Sequence, residues 1–306
     1  MHVLRTPDEA FASITDYPFQ PNYLDVDTEG GEPVRVHYVD EGSGPVVLVM
    51  HGEPSWSYLY RKVIPILTEA GFRVLAPDLI GFGKSDKPAD TSDYTYARHV
   101  AWMHAWLDAL DLTDVVLFVQ DWGGLIGLRL VATEPGRFAA VVTANTGLPT
   151  GDIPITEAFL NWRKFSLEVQ DFDVGAIITM GCQKPLPQDV VAAYNAPFPD
   201  DTYKEGARIF PSLVPIEPND AASPANRKAW EVLSRFDKPF LTAFSDGDPI
   251  TNGGEHIFQK RVTGAKGQPH TTIKGGGHFL QEDCAEEFTE VIVDFIARCK
   301  EIAEFS

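Results

Sequence analysis

The feature that most constrains the fold is an alternation along the chain between short β-branched runs and longer segments with helical periodicity. This alternation is typical of βαβ units, which build a mostly parallel sheet covered by helices on both faces. Eight runs are predicted to be strands: 23–27, 34–39, 46–50, 73–76, 115–119, 139–144, 240–244 and 270–273. Helical patterns occupy 57–70, 95–110, 125–134 and 285–299.

The first two predicted strands flank Glu29-Gly-Gly-Glu32, whose paired glycines suit a hairpin. We therefore expect the sheet to open with antiparallel strands and to become parallel afterwards. Between 148 and 235 the alternation stops, and proline, aspartate and aromatic residues become frequent. A segment of this length is too long for a plain loop. It predicts a helical cap domain inserted into a core domain formed by 1–147 and 236–306.

Charge and composition exclude several classes of partner. A chain of 306 residues with 44% hydrophobic residues can bury a large core, but its formal net charge of −19 opposes binding to nucleic acid or to an anionic membrane. Its three cysteines show no C-x-x-C spacing, so neither a disulfide framework nor a zinc site is expected. These cysteines make a reducing cytoplasm the simplest location, and no signal peptide or membrane span is recognisable. A monomer is the default expectation.

The strongest chemical signal is the run Val115-Val-Leu-Phe-Val-Gln-Asp121-Trp122-Gly-Gly. A buried strand, one polar residue, small residues and a helix are the parts of a nucleophile elbow, which raises the central side chain above the sheet. Asp121 takes the position of the usual serine, although Val119 stands where many elbows have glycine. From this run alone, Asp121 could equally be the cap of the following helix.

Two further strand ends supply a base and an acid. His278 lies on the glycine-rich run Lys274-Gly-Gly-Gly-His-Phe after the last strand, and histidine is suited to act as a base near neutral pH. Asp248, in Phe244-Ser-Asp-Gly-Asp-Pro, is the expected orienting acid, with Asp246 as the alternative. The chain order of nucleophile, acid and histidine is the order of α/β-hydrolases.

The turn His51-Gly-Glu-Pro follows the third strand. In hydrolases of this kind such a turn supplies one backbone N–H of the oxyanion hole, and the residue after the nucleophile supplies the other. These donors would be Glu53 and Trp122. We interpret His51 as a brace of the turn and not as a second base.

Together, His51-Gly-Glu-Pro, Asp78-Leu-Ile-Gly-Phe-Gly-Lys-Ser-Asp, Gln120-Asp-Trp-Gly-Gly and Gly277-His-Phe resemble the haloalkane dehalogenase family over nearly the whole chain. The resemblance implies an α/β-hydrolase fold and a reaction without cofactor or metal. A small apolar haloalkane would alkylate Asp121 and release halide. Water activated by His278 would then free a primary alcohol and a proton.

The resemblance also implies a halide site. Trp122 would be one indole donor, and some family members take the second from an asparagine in the His-Gly-x-Pro turn. This chain has Glu53 there, whose charge would repel halide. The second donor is therefore expected from the cap, where Trp162 resembles the cap tryptophan of the subfamily that lacks the asparagine, although packing alone could explain it. Phe159, Phe165 and Phe279 are candidate pocket residues, with core packing as the alternative for each.

Three rival functions remain open. Epoxide hydrolases share the aspartate nucleophile but use cap tyrosines, for which Tyr194 and Tyr203 are available. Haloacetate dehalogenases tend to follow the nucleophile with arginine, whereas this chain has Trp122. A binding module without activity would require a lost catalytic position, and none of the positions named above is lost.

Overall fold

The computed structural model describes residues 1–27 and 33–304. The strands within these residues are, in chain order, β1 (Val3–Leu4), β2 (Asn22–Val26), β3 (Val34–Gly42), β4 (Val46–Met50), β5 (Arg73–Pro77), β6 (Lys87–Pro88), β7 (Val115–Gln120), β8 (Phe138–Ala144), β9 (Phe240–Ser245) and β10 (Thr271–Ile273). All eight predicted strands are confirmed, with ends shifted by up to three residues. The pair β1 and β6 was not expected, because strands of two residues carry no periodicity to read.

The main sheet of the described residues contains eight strands in the order β2-β3-β5-β4-β7-β8-β9-β10. Strand β3 is antiparallel to both β2 and β5, and the remaining pairs are parallel. The expected change from antiparallel to parallel pairing is thus confirmed. The residues of the predicted hairpin turn, 29–32, lie outside the described residues.

The α-helices of the described chain are α1 (Val63–Glu69), α2 (Tyr96–Ala109), α3 (Trp122–Thr133), α4 (Glu157–Glu168), α5 (Val174–Met180), α6 (Gln188–Asn195), α7 (Glu205–Leu213), α8 (Ser223–Leu233), α9 (Glu255–Arg261), α10 (Leu280–Asp283) and α11 (Ala285–Glu304). Strand β7, at the centre of the sheet, is buried along its whole length. Helices on the two faces cover it, so its carboxyl end is a rigid place for a reactive side chain.

The single helix predicted for 57–70 is wrong. Residues Ser57–Tyr60 form a 3-10 turn, and α1 starts only at Val63. In one continuous helix Pro65 would lie in the interior, where its ring clashes with the preceding turn and a hydrogen bond is missing. In α1 it falls in the first turn, where no amide partner is required.

Helices α4 to α8 all lie between β8 and β9, in a region that the structure describes completely. The last of them, α8, packs against α3, where the Arg129 guanidinium donates to Asn226 Oδ1. The Trp230 indole of α8 also donates to Leu148 O, just after β8. The last helix of the segment α4 to α8 is therefore joined both to α3 of the core and to the chain just after β8, where the segment begins. No helix among the described residues has the length and apolar composition needed to cross a membrane.

Candidate active site

Asp121 lies at the junction of β7 and α3 with φ 50° and ψ −128°, a strained backbone conformation for a residue with a side chain. The next residues leave no room for side chains. A Cβ on Gly123 would lie 2.1 Å from Met50 O, and one on Gly124 would lie 2.0 Å from Thr146 Oγ1. Thr146 Oγ1 also donates to Asp121 O at 2.7 Å. The turn is thus fixed from several sides, as an elbow that exposes its central side chain requires.

Val119, the residue that departs from the usual elbow pattern, faces a glycine on the helix. A Cβ on Gly127 would lie 2.7 Å from Val119 Cγ1. The close approach of strand and helix is therefore made possible by a glycine in α3 and not by one in β7.

His278 lies between two carboxylates. Its Nε2 is 3.4 Å from Asp121 Oδ2, and its Nδ1 is 3.0 Å from Asp248 Oδ2. The Asp248 side chain is fully buried and accepts further hydrogen bonds from Ile250 N, at 2.9 Å, and from the Thr251 hydroxyl. Asp121, His278 and Asp248 thus form a continuous chain of the kind that nucleophilic catalysis uses.

Asp246, the alternative acid, takes part in a different interaction. Its Oδ1 accepts from Gly275 N at 2.8 Å, and its Oδ2 lies 3.5 Å from Lys274 Nζ. Asp246 therefore binds the glycine-rich loop at Lys274 and Gly275, and Asp248 is the acid that contacts the imidazole.

The charges of this row shift the pKa values of its members. Burial of His278 lowers its pKa, but the charge of Asp248 and the hydrogen bonds with Asp121 and Asp248 outweigh burial and raise the pKa to about 10. Burial of Asp248 raises its pKa, and the His278 charge with its hydrogen bond reverses this, so that the pKa falls below the usual value. The histidine is therefore a cation at neutral pH, and the Asp248 beside it is a carboxylate.

The histidine loop is held by two amides that the sequence analysis did not single out. Asn145 donates to Gly277 O at 2.9 Å and to His278 O at 3.1 Å, and Gln120 donates to His278 O at 3.1 Å. Both follow the pattern that located the other site residues, because Gln120 ends β7 and Asn145 directly follows β8. Polar residues at adjacent strand ends could have indicated them.

The turn after β4 approaches the nucleophile closely. Glu53 N donates to Asp121 Oδ1 at 2.7 Å. Trp122 is the first residue of α3, so its amide has no partner within the helix. His51 donates through Nδ1 to Gly52 O and accepts at Nε2 from Leu79 N. These two hydrogen bonds are those expected of a residue that braces the turn.

A cavity of about 510 Å³ opens above Asp121. Its wall includes Glu53, Trp122, Trp162, His278, Phe159 and Phe279. The volume lies within the roughly 300–1,000 Å³ typical of small-molecule sites. The arrangement combines a carboxylate, a histidine and indole groups in a largely apolar space.

Phe165 is not part of this wall. It lies on α4 with 38% of its surface exposed and stacks against Trp162, with ring centroids 5.8 Å apart. Phe165 follows Phe159 by six residues, which at about 3.6 residues per turn places the two side chains on different faces of the helix. Trp162 follows Phe159 by three residues and stays close to its face. The prediction that Phe165 lines the pocket is therefore wrong.

Comparison with known proteins now gives the family. Residues 45–283 match the family model described as alpha/beta hydrolase fold. A haloalkane dehalogenase of Psychrobacter cryohalolentis is 59% identical over 97% of this chain and 98% of its own. Another, of Mycolicibacterium paratuberculosis, is 51% identical over 96% and 98%.

This chain belongs to the haloalkane dehalogenase family. A solved haloalkane dehalogenase of Paraglaciecola agarilytica, described as tetrameric, has the same fold, with a TM-score of 0.88 and 36% identity over 97% of this chain and 98% of that one. The predicted α/β-hydrolase fold is thereby confirmed for the sheet and its flanking helices.

The two cap tyrosines of the epoxide hydrolase alternative do not line the cavity of this dehalogenase. The Tyr194 hydroxyl is fully buried and donates to Glu282, which also binds Arg61. Tyr203 packs against the core. An epoxide in the cavity would therefore meet neither hydroxyl, and this alternative is not favoured.

Proposed function

We propose that this chain is a haloalkane dehalogenase in which Asp121 is the nucleophile, His278 the base and Asp248 its orienting acid. The observation that carries the proposal is the row from Asp121 through His278 to Asp248, with the cavity above Asp121. The reaction hydrolyses the carbon–halogen bond of an apolar haloalkane and needs no group from outside the chain except water.

In the first step a carboxylate oxygen of Asp121 attacks the carbon that carries the halogen. The carbon–oxygen bond forms as the carbon–halogen bond breaks, and the halide leaves with the electron pair. A carboxylate is a nucleophile without prior loss of a proton, so the cationic state of His278 does not oppose this step. The product is an alkyl ester of Asp121.

Esterification changes the electrostatics of the site. Since the ester is neutral, His278 loses the hydrogen bond and charge by which Asp121 raises its pKa, whereas burial, which lowers the pKa, remains. The imidazole can then give up its proton to solvent and accept one from water. That water attacks the ester carbonyl while the amides of Glu53 and Trp122 stabilise the oxyanion. The bond to the alkoxide then breaks as His278 returns its proton to it, so the alcohol departs and Asp121 regains its carboxyl group.

We propose that the released halide lies between the indoles of Trp122 and Trp162. Both side chains line the cavity near Asp121, one from α3 and one from α4. An indole N–H donates without accepting, so it stabilises an anion without competing as a nucleophile. These two tryptophans would place the chain in the subfamily with a tryptophan pair.

The substrate is expected to enter over an apolar rim. Ile153, Met180 and Ile257 are exposed apolar residues that also line the cavity. Phe159 and Phe279 would contact the substrate further in. We assign Ile153, Phe159 and Met180 to a cap of residues 148–235, and the catalytic row to a core of 1–147 and 236–306.

One chain is proposed to contain a complete site, because every residue of the row and of the cavity comes from the same chain. A monomer stays the prediction, although the Paraglaciecola agarilytica relative is described as tetrameric. A cytoplasmic location also stays a prediction, in keeping with the three free cysteines. Light scattering on the purified protein tests the assembly.

The decisive experiment measures halide release from 1,2-dibromoethane and 1-bromobutane, with consumption of styrene oxide followed in parallel. Wild type is expected to release halide, and Asp121→Asn is expected to release none. Asp111→Asn is the matched control, because Asp111 also has a positive φ, of 48°, but lies exposed outside the cavity. Consumption of the epoxide alone, or halide release by Asp121→Asn, would overturn the assignment.

A further inference from the structure

The Glu53 side chain is a buried acid with a polar atom that has no hydrogen-bond partner, and the residue belongs to the wall of the cavity. Only 4% of the residue is exposed, and it lines the cavity together with Asp121, Trp122 and Trp162. Its backbone amide is committed to Asp121, but its Oε1 has no hydrogen-bond partner among the described residues. A buried polar atom without a partner is costly, so one that belongs to a residue of the cavity wall suggests a ligand that completes it.

The groups that face this carboxyl decide its charge. Burial raises the pKa of Glu53 well above its ordinary value, and the negative charge of Asp121 raises it further, while the positive charge of His278 and a contact from Trp162 oppose the rise. No lysine or arginine contributes among these causes. Burial beside Asp121 therefore favours the neutral form of this carboxyl, whereas the expected repulsion of halide requires the charged form.

A neutral carboxyl differs from a carboxylate in having one O–H donor. In a cavity where Asp121 and Glu53 are the two acids, only the neutral one can donate to an anion. Trp162, the cap tryptophan proposed as a halide donor, is in contact with this same carboxyl. The carboxyl therefore lies next to the position where the halide forms.

We propose that Glu53, in its protonated form, is a third halide donor, which completes the site formed by the Trp122 and Trp162 indoles. This inference rests on the proposed dehalogenase function and adds to it a dependence on pH. Because only protonated Glu53 donates, halide and proton bind together at this residue. Halide binding in turn favours the protonated form, as the reciprocity of linked equilibria requires.

The test measures bromide binding to the intact protein, without organic substrate, as the saturable part of the quenching of tryptophan fluorescence. Across the pKa of Glu53, affinity in the wild type is expected to fall about tenfold per pH unit, the limit for coupling to one proton. Glu53→Gln keeps an N–H donor that cannot ionise, and is expected to lose this part of the pH dependence. Any remaining fall reports His278, whose cation also favours an anion.

Glu53→Ala removes the donor altogether and is expected to weaken bromide binding about tenfold or more at low pH, as loss of a hydrogen bond to a charged partner does. Thermal unfolding of both variants shows whether they are folded. If a variant does not fold, the wild type is measured instead. The carbonyl stretch of a neutral carboxyl is then followed in its infrared spectrum with and without bromide.

The outcomes separate the two proposals. If Glu53→Gln shows the same pH dependence as wild type, or Glu53→Ala binds bromide as tightly, the role of Glu53 is wrong while the dehalogenase function stands. The same holds if bromide leaves the infrared signal unchanged. If wild type neither binds bromide nor releases halide from the haloalkanes, the proposed function itself fails and this inference fails with it.

Discussion

A Cβ atom on Gly52 would lie 2.1 Å from Oδ1 and 2.4 Å from Cβ of Asp121. The turn that carries the Glu53 amide therefore approaches the nucleophile so closely that only a hydrogen atom fits at position 52. The contact includes the Cβ of Asp121, which moves only if the strained elbow moves. Gly52 therefore both allows the turn to approach Asp121 closely and helps to hold the nucleophile in position.

Gly52→Ala is accordingly expected to lower the rate of halide release by about 100-fold, because a displacement of about 1 Å at a reacting group has an effect of that size. Steady-state kinetics with 1-bromobutane measure it. Gly136→Ala is the matched control, since a Cβ at Gly136 meets nothing within 4 Å. Normal kinetics in Gly52→Ala would contradict the close fit.

His278→Gln is expected to stop the reaction after its first half. Asp121 remains a carboxylate that can be alkylated, but no base activates the water that attacks the ester. The variant should release about one equivalent of halide and gain the mass of the alkyl group. Mass spectrometry of the intact protein measures the adduct.

The control for this experiment is the double variant that also carries Asp121→Asn, which should gain no mass. Repeated turnover by His278→Gln would show that another group acts as the base.

The raised pKa of His278 also predicts how stability depends on pH. The folded state binds this proton up to a pKa of about 10, whereas an unfolded histidine has a pKa near 6.5. The stabilisation is complete below pH 6.5 and is lost as the pH rises toward 10. Within that window the free energy of unfolding falls by at most about 1.4 kcal/mol per pH unit from this group.

Urea unfolding of wild type and His278→Gln between pH 6.5 and pH 10 isolates the contribution, because other groups that titrate contribute to both proteins. The difference in stability between the two should shrink as the pH rises. A difference that stays constant over this window would mean that His278 does not hold its proton in the folded state.

The sequence was sufficient to predict the sheet because its strands are buried on both faces, which leaves continuous apolar runs such as 115–119. It also indicated Asp121, His278 and Asp248, since each follows a strand and the carboxyl ends of parallel strands meet at one edge. Asp248 and Asp246 could not be separated by pattern. Their different partners, the imidazole and Gly275 N, depend on the path of two loops.

Other features depend on packing that no local pattern shows. Phe165 and Phe159 look alike in the sequence, and only the angle between them around α4 separates one that faces solvent from one that faces the cavity. Glu53 reads as an ionised residue, because glutamate usually is one. Its burial beside Asp121, produced by the fold as a whole, raises the pKa of the carboxyl and so opposes that expectation.

Tyr194 would have a catalytic hydroxyl in an epoxide hydrolase, whereas in this structure the hydroxyl has a structural partner. It donates to the buried Glu282 carboxylate, whose other partners are Arg61 and Lys62. Tyr194→Phe removes one hydrogen bond to a charged group and leaves Glu282 with its two cations. A loss of about 1–3 kcal/mol in the free energy of unfolding is expected.

Halide release should stay unchanged in Tyr194→Phe, because the hydroxyl does not reach the cavity. Urea unfolding and halide release from 1-bromobutane measure the two effects on the same preparation. Tyr203→Phe is the companion variant, since Tyr203 is the other tyrosine that an epoxide hydrolase could use. If either variant lost activity toward styrene oxide while keeping its stability, the tyrosine would act on the substrate, and the cavity would have to open toward it during turnover.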